Sequence, residues 1–173
     1  MNTCGRSGFT LVEILIVVVI MGILAAIVVP HFGSTSDDAR VTAVTDNLQD
    51  LRQEIDLYRN QHQGALPGVV NTFPDTVFTE QLTLPTNVRG DRSAAANQGF
   101  GDPNYPLGPY VNNALPPNPY NGSRKVRTVS SFPASAPGGG SVSDPGWFYD
   151  ITSGRIRVNQ VGTAPNGQTY WEL

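Results

Sequence analysis

The sequence contains few of the residues on which most catalytic and metal-binding chemistry depends. Its 173 residues include one cysteine, Cys4, and two histidines, His31 and His62. Without more thiols or imidazoles, a zinc site would have to be dominated by carboxylates. Neither histidine stands in a recognisable nucleophile–base pattern, and no P-loop or dinucleotide-binding glycine pattern is present. We therefore expect a protein that is not an enzyme.

Charge is also scarce. Charged residues make up 14% of the chain, and the net charge is −3, which gives no electrostatic case for a nucleic-acid partner. The basic residues near the C-terminus form one cluster, which could contact DNA or an acidic neighbour. We favour the simpler interpretation, a solvated strand face. The cluster consists of Arg124, Lys125, Arg127, Arg155 and Arg157.

A long apolar run lies near the N-terminus. Residues 9–29 contain a single charged side chain, Glu13. As a helix these 21 residues would be about 32 Å long, close to the roughly 30 Å of a bilayer core. An acid in such a run costs about 2.5–3.5 kcal/mol and by default indicates a functional role. A secretory signal peptide cut after Ala26 and a plain membrane anchor are two interpretations, and neither explains Glu13.

The third interpretation rests on a motif. Gly8, Phe9, Glu13 and Pro30 frame the apolar run, and this N-terminus resembles that of type IV pilin-like proteins, most closely the pseudopilins of type II secretion. The resemblance implies a leader, residues 1–8, that a prepilin peptidase removes between Gly8 and Phe9. It also implies N-methylation of Phe9.

The same resemblance assigns roles within the run. Glu13 would pair with the Phe9 amine of a neighbouring subunit, which would neutralise two charges in lipid; alternatively it lies at the headgroup boundary. Gly22 and Pro30 weaken a helix, so the helix around them would loosen on assembly. Alternatively, Pro30 would only kink the helix where it leaves the membrane. Removal of the leader would remove Cys4, the only thiol, and a chain without a disulfide favours a pseudopilin over a pilin.

The next segment predicts an amphipathic helix. Its apolar residues recur at spacings of three and four, which is one helical stripe. Such a stripe could form a coiled coil, but we favour packing on the chain's own domain. We expect one helix over residues 9–63, with a transmembrane and filament-core half, 9–30, and an amphipathic half, 31–63. The stripe consists of Val41, Val44, Leu48, Leu51, Ile55 and Tyr58.

The rest of the chain predicts a loop-rich region, 64–123, and a C-terminal sheet region, 124–173. A short helix is expected over 76–82, with Asp75 as its cap. Alternation predicts a strand over 125–132, and two β-rich runs around a Gly154 turn predict a hairpin over 146–159. The tail, 170–173, would add an edge strand or fray. The fold class is α+β, a long N-terminal helix packed on a small antiparallel sheet, as in pilins.

Calcium is the one metal that we weigh. Major pseudopilins often hold calcium in the loop beside the C-terminal sheet. Here the nearest oxygen donors are Asp144 and Asp150, with Ser141 and Ser143. Calcium prefers six to eight oxygens, and two acids make a thin shell. We expect no cofactor, with Asp144 and Asp150 as weak calcium candidates.

The resemblance implies a structural function. The chain would be a filament subunit that self-associates, held first as a single-pass protein in inner-membrane lipid with its C-terminal domain outside the cytoplasm. An assembly platform and an ATPase would move it into a filament in the periplasm or at the cell surface. The alternatives are an adhesion or motility pilin and a pilin-anchored module that binds DNA or another ligand.

Overall fold

The computed structural model describes residues 9–69, 75–93 and 102–173, and leaves out the side chains of residues 27–36. Helix α1 comprises Leu11–Gln61, and helix α2 comprises Asp75–Thr83. Strands β1 (Val126–Val129), β2 (Trp147–Asp150) and β3 (Arg155–Val158) are followed by a 3₁₀ helix, Tyr170–Glu172. The chain divides into two compact units, Met1–Ala39 and Arg40–Leu173. The predicted α+β class, with a long helix and a small sheet, is confirmed.

The second half of α1 is amphipathic, as predicted. Five residues of the predicted stripe are at most 2% exposed, and they share one hydrophobic cluster with Trp147 and Tyr149 of β2. The stripe therefore packs on the chain's own sheet. The helix ends where Gln63 and Gly64 adopt positive φ angles, a common way to terminate a helix. The five buried residues are Val44, Leu48, Leu51, Ile55 and Tyr58.

The sheet is mixed, so the prediction of an antiparallel sheet is wrong for one of its two strand pairs. The order is β1-β2-β3, with β1 and β2 parallel and β2 and β3 antiparallel. The β2–β3 hairpin is the one that was predicted. The connection over residues 130–146 exceeds the dozen or so residues that a parallel crossover requires. It can therefore return the chain to the same end of the sheet.

Helix α2 covers the β1 side of the sheet. The predicted helix over 76–82 is confirmed with one extra residue at each end. Phe78 lies with its ring centre 4.2 Å from that of Tyr149, which ties α2 to the main core. The carboxylate of Asp75 accepts hydrogen bonds from the Thr128 N–H (2.9 Å) and hydroxyl (3.0 Å), so Asp75 links α2 to β1.

A second, smaller cluster covers the outer face of the sheet. Phe148 and Trp171 are 6% and 5% exposed, and Val129 and Phe132 pack against them. We call this group the outer cluster. The guanidinium carbon of Arg157 lies 4.5 Å from the ring centre of Phe132 and 5.4 Å from that of Trp171. A cation over two aromatic rings is held by their electron-rich faces.

The C-terminal tail neither frays nor adds a strand, so both forms of that prediction are wrong. Residues Tyr170–Glu172 form a 3₁₀ helix that buries two successive rings. Tyr170 enters the main core, and Trp171 enters the outer cluster. The guanidinium of Arg52 donates a hydrogen bond to the main-chain oxygen of Leu173. Burial of both rings keeps this segment on the domain.

Candidate functional site

Apolar side chains in the first half of α1 are uncovered. Those from Phe9 to Leu24 are between 48% exposed, at Val17, and 83% exposed, at Leu11. Contiguous residues are apolar, so every face of the helix carries apolar surface. Apolar patches larger than a few hundred Å² are rare on soluble monomers and mark contact sites for proteins or membranes. This segment is therefore a candidate interaction surface.

Glu13 takes part in a hydrogen-bonded box at the start of α1. Thr10 lies just before the helix, and its hydroxyl oxygen accepts a hydrogen bond from the Glu13 N–H at 3.2 Å. In return, Glu13 Oε2 accepts from the Thr10 N–H and from the Thr10 hydroxyl, each at 3.1 Å. This is the reciprocal capping box of a Thr-x-x-Glu sequence. The negative charge also suits the positive end of the helix dipole.

The box leaves part of the carboxylate available. Both hydrogen bonds within the chain end on Oε2 of Glu13. In the described part of the chain, Oε1 of Glu13 accepts no hydrogen bond. A carboxylate has about four acceptor positions on its two oxygens. Glu13 can therefore keep its contacts with Thr10 and still accept a donor from another molecule.

The other N-terminal predictions are placed as follows. Phe9 directly precedes the box and is 80% exposed. Gly22 lies within α1, where an added Cβ would meet nothing within 4 Å. Gly8 and the leader lie outside the described residues, as does the side chain of Pro30, although its backbone belongs to α1. Among the helices of the described residues, none is long and apolar enough to cross a membrane.

The two calcium candidates have separate local roles. Asp144 accepts a hydrogen bond from the Ser141 N–H at 3.2 Å. Asp150 accepts from the Thr152 N–H at 2.8 Å and from the Ser153 hydroxyl at 2.6 Å, which fixes the turn after β2. Although burial alone would raise it, these hydrogen bonds lower the pKa of Asp150. Across residues 9–69, 75–93 and 102–173, no three acids, histidines or cysteines form a metal-binding group.

The predicted basic cluster does not form one open patch. Arg124 and Lys125 donate to the main-chain oxygens of Leu115 and Ser143, and Arg157 lies over the rings of the outer cluster. Arg127 pairs with Asp75, with Nε and Oδ2 3.2 Å apart. Within the described ranges, the guanidinium of the fifth member, Arg155, has no ion pair or hydrogen bond. Four of the five cations are thus held by this chain.

Sequence reasoning missed two features of these sites. The Thr10–Glu13 box has a visible signal, a threonine three residues before a glutamate at the start of an apolar run. The Arg157 site has none, because its rings come from the 130–146 connection and from the tail. The sequence predicted a solvated strand face for Arg157 but could not show what covers that face.

Comparison with known proteins adds to this geometry. Residues 4–29 match the family model described as the prokaryotic N-terminal methylation motif. That range includes Gly8, Phe9, Glu13 and Gly22, and it ends one residue before Pro30. No solved structure matches the chain at a significant level.

The similar curated proteins share one description, type II secretion system core protein G. The chain is 48% identical to that of Pseudomonas aeruginosa over 54 residues, which cover 31% of the chain and 38% of the relative. It is 33% identical to that of Vibrio cholerae over 82 residues, 47% of the chain and 52% of the relative. With the protein of Pectobacterium carotovorum the identity is 29% over 126 residues, 69% of the chain and 68% of the relative. The chain thus spans about two fifths to one half of the first two of these relatives.

Proposed function

We propose that the chain is a structural subunit of a pilus-like filament, a pseudopilin of a type II secretion system. The observation that carries this proposal is the uncovered apolar segment at the start of α1. A helix that is apolar on every face needs an apolar environment on every face. Lipid provides that environment, and so does a bundle of parallel copies. The N-terminal motif match and the names of the similar proteins support the same role.

The proposed pathway begins at the leader. A prepilin peptidase cuts between Gly8 and Phe9, and the new amine of Phe9 is methylated. Residues 9–29 hold the subunit in the inner membrane, with the C-terminal domain outside the cytoplasm. An assembly platform and its ATPase then move the subunit into a periplasmic filament. The function is mechanical and requires no catalytic residue.

Glu13 would set the position of each subunit against the next. Its Oε2 is bonded to Thr10 of the same chain, and its Oε1 would accept from the Phe9 amine of a neighbour. Pairing neutralises a charge that is costly in an apolar filament core. Thr10 would orient the carboxylate, because the box fixes one of its two oxygens.

Mass spectrometry of the mature N-terminus tests the processing step. The expected first residue is N-methylated Phe9, with the leader absent. A mature chain that begins at any other residue, or an unmethylated amine in cells with active processing enzymes, contradicts this step.

The alternative of an adhesive pilin predicts long surface fibres, whereas the pseudopilin predicts copurification with secretion components.

Two substitutions at one position test the pairing step. Glu13→Gln keeps side-chain oxygen for the Thr10 box and removes the charge, whereas Glu13→Ala removes both. If charge pairing drives assembly, both variants should be processed normally, and filaments counted by electron microscopy should fall at least about tenfold for each. If Glu13→Gln forms filaments as the wild type does, Glu13 serves only as a helix cap and the pairing is refuted.

A further inference from the structure

The connection from β1 to β2 ends in a segment whose main-chain oxygens accept hydrogen bonds from side-chain nitrogens. We call this segment, residues 138–146, the glycine-rich loop, and it contains the weak calcium candidate Asp144. Main-chain oxygens that are partly or fully withdrawn from water need either an N–H donor or a cation as partner. Side-chain amides are the partners here, at the oxygens of Gly138, Pro145 and Gly146.

Asn159 makes the central contacts of the loop. It directly follows β3, and it is 0% exposed. Its side-chain nitrogen donates to the oxygens of Pro145 at 2.8 Å and Gly138 at 3.1 Å, and its side-chain oxygen accepts from the Gly138 N–H at 2.9 Å. Both donor positions of the amide are thus used. One buried side chain therefore holds the beginning and the end of the glycine-rich loop together.

Two further amides reach the loop from the connection before β1. Asn118, also 0% exposed, donates from its side-chain nitrogen to the Gly146 oxygen at 3.0 Å. Asn121 donates to the Pro145 oxygen at 3.3 Å. The side-chain oxygens of both asparagines accept from the N–H two residues further along the chain. Each amide is therefore fixed in orientation by its own turn before it contacts the loop.

The same loop does not suit the calcium ion that the family resemblance implies. Calcium takes six to eight oxygen ligands, whereas amide N–H groups already point at three main-chain oxygens of this loop. The ammonium of Lys125 donates to the Ser143 oxygen at 3.0 Å, and a positive charge there repels a divalent cation. The Asp144 carboxylate accepts from the Ser141 N–H at 3.2 Å, so it closes the tip of the loop on itself.

We infer that the side-chain amides of Asn159, Asn118 and Asn121 close the glycine-rich loop in place of a cation, so that the C-terminal domain folds without calcium. Each amide N–H meets one main-chain oxygen, where a metal ion would gather several. Because the loop leads directly into β2, which pairs in parallel with β1, Asn159 also fixes the point at which the crossover enters the sheet. The inference concerns the domain alone and does not depend on filament formation.

Thermal unfolding of the full chain in detergent, followed by near-ultraviolet circular dichroism, tests the metal independence. The two conditions are millimolar calcium chloride and excess EGTA. A calcium site filled at a hundred times its dissociation constant would raise the midpoint by about 5–10 °C. The expected result is equal midpoints to within about 1 °C. A midpoint more than about 2 °C higher in calcium than in EGTA overturns the inference.

A matched pair of substitutions tests the role of the amide. Asn159→Asp keeps the shape and the acceptor of the side chain but replaces both N–H donors by an oxygen, and it should lower the midpoint in EGTA by at least about 5 °C. Asn166→Asp makes the same change at an exposed turn, where the side-chain oxygen accepts from the Gln168 N–H, and should leave the midpoint unchanged. Equal midpoints for Asn159→Asp and the wild type, or an equal fall in Asn166→Asp, overturn the inference.

A measurement on the wild type needs no variant to fold. The side-chain amide protons of Asn159 should exchange with solvent at least about a hundredfold more slowly than those of Asn166, because they are buried and hydrogen-bonded. ¹⁵N-resolved nuclear magnetic resonance of the full chain in micelles measures both rates, and EGTA should leave them unchanged. Exchange at Asn159 that is as fast as at Asn166, or that accelerates when EGTA replaces calcium, overturns the inference.

Discussion

The two halves of α1 use apolar residues in opposite ways. From Phe9 to Leu24, the large apolar side chains follow one another without periodicity and are about half exposed or more. After Arg40, they recur at helical spacing, and those at Val44, Leu48 and Leu51 are at most 1% exposed. The number of apolar residues does not separate the halves; their spacing does. A periodic apolar stripe can be buried within one chain, whereas a helix that is apolar on every face is buried only when protein or lipid surrounds it.

Each half thus carries one level of organisation. The second half supplies core to a domain that buries its own sheet, and the described apolar side chains of the first half, from Leu11 to Leu24, are exposed. Stability of the domain and association of the chain should therefore respond to different substitutions. The predictions below test that separation.

The same substitution in each half should give the largest contrast. Leu51→Ala removes a side chain that is 1% exposed and should lower the free energy of unfolding by about 3 kcal/mol. Leu15→Ala removes one that is 56% exposed and should change it by less than about 0.5 kcal/mol. Urea unfolding of the full chain in detergent, followed by near-ultraviolet circular dichroism, measures both. Similar losses for the two variants would remove the distinction between the halves.

A second contrast extends the comparison to the outer face of the sheet. Arg157→Ala removes a cation from two rings and should cost about 1–2 kcal/mol of unfolding free energy. Arg155→Ala is the matched control, and a change below about 0.5 kcal/mol is expected. The same urea titration applies. If Arg155→Ala is as costly as Arg157→Ala, the outer cluster does not depend on the stacked cation.

The turn after β2 should give the domain an acid-sensitive contribution. Hydrogen bonds lower the folded-state pKa of Asp150. Its contribution to the unfolding free energy is therefore fully present above the unfolded-state pKa of about 3.9. It is lost as the pH falls through the folded-state pKa. Asp150→Asn should cost about 1 kcal/mol at pH 7, and its difference from the wild type should shrink at pH 3. A difference that stays constant between pH 7 and pH 3 would contradict the assignment.

The smallest expected effect has the opposite sign and lies on α1. Burial, and then the charge of Asp50, raise the pKa of Glu54. When the folded-state pKa of a carboxyl is raised, the unfolding free energy of the protein falls as the pH rises through that pKa. Glu54→Gln should therefore raise the unfolding free energy at pH 7 by a few tenths of a kcal/mol, with little gain at pH 4. Thermal unfolding at the two pH values measures this, and a loss of stability at pH 7 would show that Glu54 makes a favourable contact.

Much of the fold was accessible from the sequence, because periodicity reports local packing. The spacing from Val44 to Tyr58 predicted the buried stripe, and alternation predicted the β2–β3 hairpin. The parallel pairing of β1 with β2 could not be predicted from the sequence, because it depends on the path of residues 130–146, which have no regular pattern. The 3₁₀ helix at Tyr170 was missed for a similar reason: two successive rings enter two different clusters, which is neither a helical nor a strand pattern.

The N-terminal site was accessible in part. Glu13 is conspicuous as the single acid in an apolar run, and the motif places Phe9 before it. The Thr10 box has the capping spacing in the sequence, but a lone acid in an apolar run points first to a partner in another subunit.

The division of the domain into two hydrophobic clusters has an optical consequence. The chain has two tryptophans, and each cluster contains one of them. Trp147 lies in the main core, and its indole N–H donates to the Pro116 oxygen at 3.0 Å. Trp171 lies in the outer cluster, and its indole N–H donates to the Pro133 oxygen at 3.2 Å. Their fluorescence should therefore report separately on the two faces of the sheet. In Trp147→Phe or Trp171→Phe, the remaining indole becomes a single intrinsic probe. If the unfolding curves of the two variants, followed by tryptophan emission, do not coincide, the domain opens one face of the sheet before the other.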